Sequence, residues 1–152
     1  MEVKVRKATK EDLPAILTLI KELADYERAP DEVTISLKDL EEDGFGNSPL
    51  YEAFIAEKDD KMIVGMAFFY FAYSTWKGKC LYLEDIIVSE NYRRQGIGKQ
   101  LFDAVLEKAK DLGVKRLMWQ VLEWNTPAIE FYKSKYGADI SNEWLNGRIL
   151  FE

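Results

Sequence analysis

The stretch LYLEDIIVSENYRRQGIGKQLF, residues 81–102, decides how the chain folds. It opens with a run rich in aliphatic residues, breaks at Ser89-Glu90-Asn91, and passes through two arginines into Gly96-Ile97-Gly98. The first run reads as a strand over residues 80–88. Ile97, Leu101, Val105 and Leu112 then recur near one face of a helix over residues 96–112. Gly113 supplies a C-terminal glycine stop, and residues 114–121 read as the next strand. The unit is β-α-β, with cations and two glycines at the mouth of its helix.

Working outward, residues 3–8 (VKVRKA) alternate as a strand does. Thr9 caps a helix, with Asp12 three residues on and Pro14 in the first turn. Leu13, Ile16, Leu17, Ile20 and Leu23 form its apolar stripe. Ala29-Pro30-Asp31 breaks the chain, and Ser36 with Asp39 opens a short second helix that ends near residues 44–47. Strands follow over residues 51–57 and 62–73, joined by the turn Asp59-Asp60-Lys61. Downstream, Asn125 caps a helix with Pro127 in its first turn, which runs to about Tyr136 before Gly137. Residues 144–151 look like a last strand. The order β-α-α-β-β-β-α-β-α-β predicts an α/β (α+β) fold. We expect a mixed central sheet of six to seven strands flanked by about four helices, in a single domain over residues 1–152.

Composition narrows the function. Of 152 residues, 47% are hydrophobic, enough for a core without staples. The longest apolar run, residues 62–73, is too short to span a bilayer, so no membrane role is expected. One cysteine, Cys80, allows no internal disulfide and reads as a buried strand residue. With a charged, polar start in place of a leader, this places the protein in the cytoplasm. The net charge of −6, from 27 acidic and 21 basic residues, argues against a nucleic-acid partner and suits a cationic small molecule. There is no histidine. A Ser-His-Asp triad, a Cys-His pair and a histidine metal site are excluded, and no metal is expected. Proton transfer must use Glu, Asp, Tyr, Lys, Cys or water.

The glycines do not form a P-loop, because Arg93 and Gln100 stand where that motif needs Gly and Ser or Thr. A dinucleotide fingerprint would need its third glycine at Leu101. What remains is strand, turn, Arg-x-x-Gly-x-Gly, helix. One reading is a glycine-rich turn with solvated arginines. The other is an anion held on helix N–H groups that lack intrahelical partners, with Arg93, Arg94 and Lys99 adding charge.

Residues 81–102 together with EWNTPAIEFYK, residues 123–133, resemble the GCN5-related N-acetyltransferase superfamily. LIKELADYE at 19–27, KDLEEDGFG at 38–46 and LYLEDIIV at 81–88 are similar to its spermidine/spermine (diamine) N-acetyltransferases and their thialysine-acetylating relatives. The resemblance implies acetyl-coenzyme A as co-substrate. Its diphosphate would lie on Arg93, Arg94, Gln95, Gly96, Ile97, Gly98 and Lys99. Its acetyl and pantetheine part would meet the backbone of Ile86, Ile87 and Val88, and Asn125, Thr126, Pro127 and Ala128 would contact it further along. Tyr132 stands in the family's general-acid position. The resemblance also implies a homodimer.

The amine side follows from charge. An alkylamine of pKa about 10.4 is neutral in only about one molecule in 2,500 at pH 7, so the site must take a proton from it. Glu84 and Asp85, adjacent inside an apolar strand, are costly there unless they do something. Alternation sends them to opposite faces, and Glu84 is read as amine anchor and proton acceptor through a water. Tyr26, Glu27, Trp76, Glu84, Asp85 and Glu143, with Trp144 beside it, would line an acidic, aromatic amine channel. Ser74 stands where the polyamine enzymes of the family carry Asp, which removes one expected anion. The expected activity is transfer of an acetyl group directly to a primary amine of a diamine, polyamine or lysine-like substrate. The alternatives are another amine, such as an amino acid or a protein N-terminus or lysine, and a silent acetyl-CoA-binding module.

Overall fold

A computed structural model of the chain describes residues 2–151, which divide into two compact units at the Gln120/Val121 boundary. The first unit is built on five strands: β1 (Val3–Lys7), β2 (Glu52–Lys58), β3 (Ile63–Ser74), β4 (Gly78–Val88) and β5 (Arg116–Trp119). They lie in sequence order. The first three junctions are antiparallel, and β5 runs parallel to β4. Three helices complete the unit: α1 (Leu13–Tyr26), α2 (Leu37–Phe45) and α3 (Ile97–Asp111). The mixed α+β architecture is as expected, but the sheet has five strands rather than six to seven.

The entry to α1 shows how local chemistry sets an element. A single 3-10 turn, Lys10–Asp12, precedes the helix. Asp12 accepts the Thr9 backbone N–H at 2.7 Å and both terminal nitrogens of Arg6, at 2.8 and 3.0 Å. Arg6 also donates to Glu57 of β2 at 2.7 Å. One buried carboxylate thus ties the helix start to β1, and through Arg6 to β2. The α2 start is simpler: Ser36 and Asp39 exchange backbone-to-side-chain bonds at 2.9 and 3.1 Å.

Helices cover both sides of the sheet. Ile97, Leu101, Phe102, Val105 and Ala109 are buried along α3. A Cβ added at Gly65 would meet Leu101 and Ile97 as well as the Ile87 carbonyl, which places α3 tightly over β3 and β4. On the other side Leu13, Ile16, Leu19 and Leu40 pack with Tyr51, Met66 and Ile87, joined by Phe68 and Tyr70 at the margin. Burial of each such large side chain stabilises the fold by about 1.5–3 kcal/mol. Cys80 is fully buried in β4, as expected of a strand residue.

The second unit holds α4 (Thr126–Tyr136). Asn125 caps it, its side-chain oxygen accepting the Ala128 N–H at 3.4 Å, and the helix ends at Gly137. The strand expected over residues 144–151 is not formed. The segment has strand-forming side chains but no ladder partner among the described residues, and Trp144, Leu145, Ile149, Leu150 and Phe151 are 76–97% exposed. A strand is stable only when its backbone groups are paired. The expected strand over residues 114–121 is likewise trimmed to four residues. Among the described residues no helix is long and apolar enough to cross a membrane.

Candidate active site

The site begins with a fault in the β3–β4 ladder. Leu83 pairs with Phe69 and Asp85 with Phe68, so β4 spends two steps where β3 spends one, and Glu84 is the extra residue. Alternation slips there. Tyr82 opposes Tyr70 and Asp85 opposes Phe68, and both partners belong to the face that packs against α1 and α2. Tyr70 and Asp85 both feel the Glu84 charge. Glu84 and Asp85 therefore work on one side of the sheet, not on opposite faces as simple alternation requires. The same point marks the end of β5 pairing. Cys80 to Leu83 match Arg116 to Trp119, and from Glu84 onward β4 is hydrogen-bonded to β3 alone.

The electrostatics single out Asp85. Burial first, then the carboxylates of Glu84 and Glu27, push its carboxyl up from 3.8 to about 7. Glu27, at the end of α1, is raised by burial as well. Asp85 is thus a half-buried carboxyl that feels two neighbouring carboxylates, the half-buried Glu27 and the exposed Glu84. Such a group holds a proton at neutral pH or accepts a cation that restores its charge. Tyr70 and Tyr82 stack at 5.2 Å between centroids beneath Glu84, and burial followed by the Glu84 charge raises both phenols. Asp85, expected only as an amine contact, is a carboxyl raised by burial and its neighbours. Tyr70 was not expected at all. Its signal was its place two residues beyond Phe68 on the strand paired with β4, which requires the register to be known.

The turn before α3 has the features of an anion site. Gly96 caps the helix with φ of +82°, which a glycine adopts without strain. No side chain caps that end and no acidic residue stands in its first turn, so the first N–H groups face outward at the positive end of the helix. A Cβ added at Gly98 would meet only Val88, at 3.8 Å, which leaves the approach open. Arg94 is exposed in a left-handed conformation (φ 63°), and Gln95 is exposed too. Two expected cations are otherwise engaged. Lys99 pairs with Asp103 one turn along α3 at 2.7 Å. Arg93 donates from Nε to the Val88 carbonyl at 2.8 Å, lies 3.6 Å from Glu22, and covers the Tyr26 ring at 5.2 Å. That bond also occupies the carbonyl expected to serve the pantetheine. Ile86 and Ile87 lie on the strand segment that has no β5 partner.

Within the first unit, Trp76 is placed apart from this cluster. Trp76 is 81% exposed in the β3–β4 turn; five residues of β4, about 20 Å of strand, separate Gly78 from Glu84. Ser74 accepts the backbone N–H groups of Trp76 and Lys77 at 3.1 and 3.0 Å. Its oxygen closes the turn, so an aspartate at this position would be spent in the same way. In the second unit, Asn125, Thr126, Pro127 and Ala128 form the start of α4. Tyr132 is buried on that helix, and burial pushes its phenol up to about 12. It is protonated throughout the neutral range, as a proton donor must be. Glu143 is exposed outside any regular element.

A glycine-opened helix mouth lies beside a bulged strand bearing adjacent carboxylates. A family model described as the Acetyltransferase (GNAT) family matches residues 14–138, and the chain belongs to that family of N-acetyltransferases. It is 42% identical over 146 residues to a thialysine N-epsilon-acetyltransferase of Bos taurus, covering 91% of this chain and 86% of that protein. It is 39% identical over 145 residues to spermidine/spermine N(1)-acetyltransferase-like protein 1 of Homo sapiens, covering 91% of this chain and 21% of that longer one. Among solved structures, an aminoglycoside acetyltransferase from an uncultured soil metagenomic sample, in complex with sisomicin, superposes with a TM-score of 0.80 at 22% identity. The match covers 97% of each chain and shows the shared fold.

Proposed function

We propose that the protein transfers an acetyl group from acetyl-CoA directly to a primary amine of a small dicationic substrate, a diamine, polyamine or thialysine-like amino acid. The observation that carries this reading is Asp85, half-buried beside the β4 bulge with the exposed Glu84 next to it and Glu27 at the end of α1 acting on it, at the cost of a raised Asp85 pKa. A second ammonium in the substrate would offset that cost, which a neutral amine cannot do. The names of the relatives point the same way.

Acetyl-CoA fits the residues present. The uncapped N–H groups of Ile97, Gly98 and Lys99 with Arg94 and Gln95 would hold its diphosphate, and the unpaired side of Ile86 and Ile87 would meet the thioester arm. Asn125, Thr126, Pro127 and Ala128 are assigned to the same co-substrate. When bound it supplies an activated acetyl group, whose transfer to the amine nitrogen releases a thiolate. Glu84 takes the amine proton through a water, while Asp85, Glu27 and Tyr26 hold the second cation. Tyr132 supplies the proton to the thiolate. On this reading the 152 residues act as one domain, in the cytoplasm. The exposed apolar segment 144–151 supports a homodimer, which sedimentation would register as twice the 17.7 kDa chain. The test is thiol release from acetyl-CoA with spermidine, putrescine, thialysine, lysine and a neutral amine of similar size. Dications should lead in kcat/KM. Equal use of the neutral amine would overturn the substrate assignment, and no turnover with any amine would favour a silent cofactor-binding module.

A further inference from the structure

Glu22 lies one helical turn before Tyr26, on the same face of α1. One carboxylate oxygen accepts the Ser89 hydroxyl at 2.9 Å, and the other accepts the Glu90 backbone N–H at 3.0 Å. That second oxygen also stands 3.6 Å from an Arg93 terminal nitrogen. Arg93 in turn donates to the Val88 carbonyl at 2.8 Å, and its guanidinium lies over the Tyr26 ring, 5.2 Å from its centroid. A single residue on α1 thereby grips three consecutive features of the loop between β4 and α3, and the arginine of that loop lies back across α1. The contacts span more than sixty residues of sequence, as the Ser89–Glu22 separation of 67 shows.

We propose that Glu22 and Arg93 form a clasp that positions the last turn of α1, so that Arg93 governs amine affinity rather than serving chiefly as a diphosphate ligand. The charge-assisted bonds at the loop fix where Glu22 stands. The helix rise carries that position to Tyr26, and the following residue, Glu27, is one of the two carboxylates acting on Asp85. With the guanidinium lying on Tyr26, planarity as well as charge is required, which a lysine does not reproduce. The clasp also joins the loop read as the co-substrate's to the turn read as the amine's, so the two halves of the site are set by one contact.

The inference rests on the reading of Tyr26 and Glu27 as amine contacts, and two measurements separate the two. The first compares Glu22→Ala and Arg93→Lys with wild type in KM for a dicationic amine and for acetyl-CoA. The clasp predicts an amine KM raised at least about fivefold by each change, an acetyl-CoA KM within about twofold, and a double variant no worse than the poorer single one. Glu22→Gln serves if the alanine variant does not fold, with the same direction of effect. The second measurement is backbone hydrogen exchange in the free protein. Residues 24–29 should exchange faster in the variants, while α3 is unchanged. A larger effect on acetyl-CoA than on the amine, or unaltered exchange over 24–29, would overturn the clasp. If wild-type protein acetylates no amine, the functional reading fails, and the exchange result alone decides the clasp.

Discussion

Removing the Asp85 charge should stabilise the free protein and cripple the enzyme. The carboxyl titrates near 7 in the folded chain against 3.8 as a free group, chiefly through burial and then through Glu84 and Glu27. A carboxyl raised in this way binds its proton in the native state at pH values where the unfolded chain has released it. Stability therefore falls as pH rises, with the loss confined to the interval between about pH 4 and 7 and complete above it. Between pH 5 and pH 8 the linkage relation gives a loss of at most about 3 kcal/mol for wild type. With a urea m-value of about 2 kcal/mol/M for a chain of this size, the midpoint should drop by up to about 1.5 M.

Asp85→Asn removes the titration. Its midpoint should stay nearly level from pH 5 to 8 and exceed that of wild type at pH 8, while the KM for a dicationic amine rises about tenfold or more. Urea titrations followed by tryptophan fluorescence at four pH values measure this directly. Saturating dicationic amine should also flatten the wild-type profile, because the bound cation restores the ionised form. A wild-type midpoint that does not fall between pH 5 and 8, or an asparagine variant that keeps the same slope, would show that Asp85 is not the strained carboxylate.

Three further outcomes test other parts of the molecule. Gly98→Val should raise the KM for acetyl-CoA about tenfold with little change in Tm, since a side chain there meets only Val88 in the free protein; a matching rise in the amine KM would make the turn structural. Tyr132→Phe should lower kcat about a hundredfold with the acetyl-CoA KM within about twofold, and undiminished turnover would end its role as proton donor. Asp12→Ala removes the two Asp12 bonds of Arg6, leaving it Glu57, and frees the Thr9 N–H, so denaturant titration should register a loss of about 1–3 kcal/mol; a loss under about 0.5 kcal/mol would make that contact incidental.

The elements of the fold could be read because each carries its own local signal. The stripe on α1, the Ser36–Asp39 and Asn125 caps and the glycine stops lie within a few residues of the structure they produce. The failures are all non-local. Residues 144–151 have the side chains of a strand, yet a strand exists only with a ladder partner, and none is present among the described residues. The bulge at Glu84 leaves no mark in LYLEDIIV, because it is a mismatch between two strands and belongs to neither alone. Glu22 could not be distinguished from other polar residues of a surface helix, since its partners lie 67 and 68 positions away.

Two of these three features, the Glu84 bulge and Glu22, are also the ones on which the proposed chemistry turns, and for a related reason. Without the bulge, Glu84 and Asp85 would point to opposite faces, each alone, and neither would disturb the other. With it, the exposed Glu84 and the α1 carboxylate Glu27 both act on the half-buried Asp85, and on the function proposed above that repulsion would favour a substrate with two positive charges. That arrangement holds only while Glu27 stays close, at the end of α1. On the clasp proposed above, the bond of Arg93 to the Val88 carbonyl and the grip of Glu22 on Ser89 and Glu90 help to hold it there. Loosening either should let α1 end further from Asp85, lower the Asp85 pKa toward the ordinary carboxylate range and weaken the pH dependence of stability. Glu22→Ala should therefore reproduce part of the flattening seen in Asp85→Asn, without improving stability at pH 8. A Glu22→Ala profile as steep as that of wild type would show that the carboxylate group is held by β4 alone.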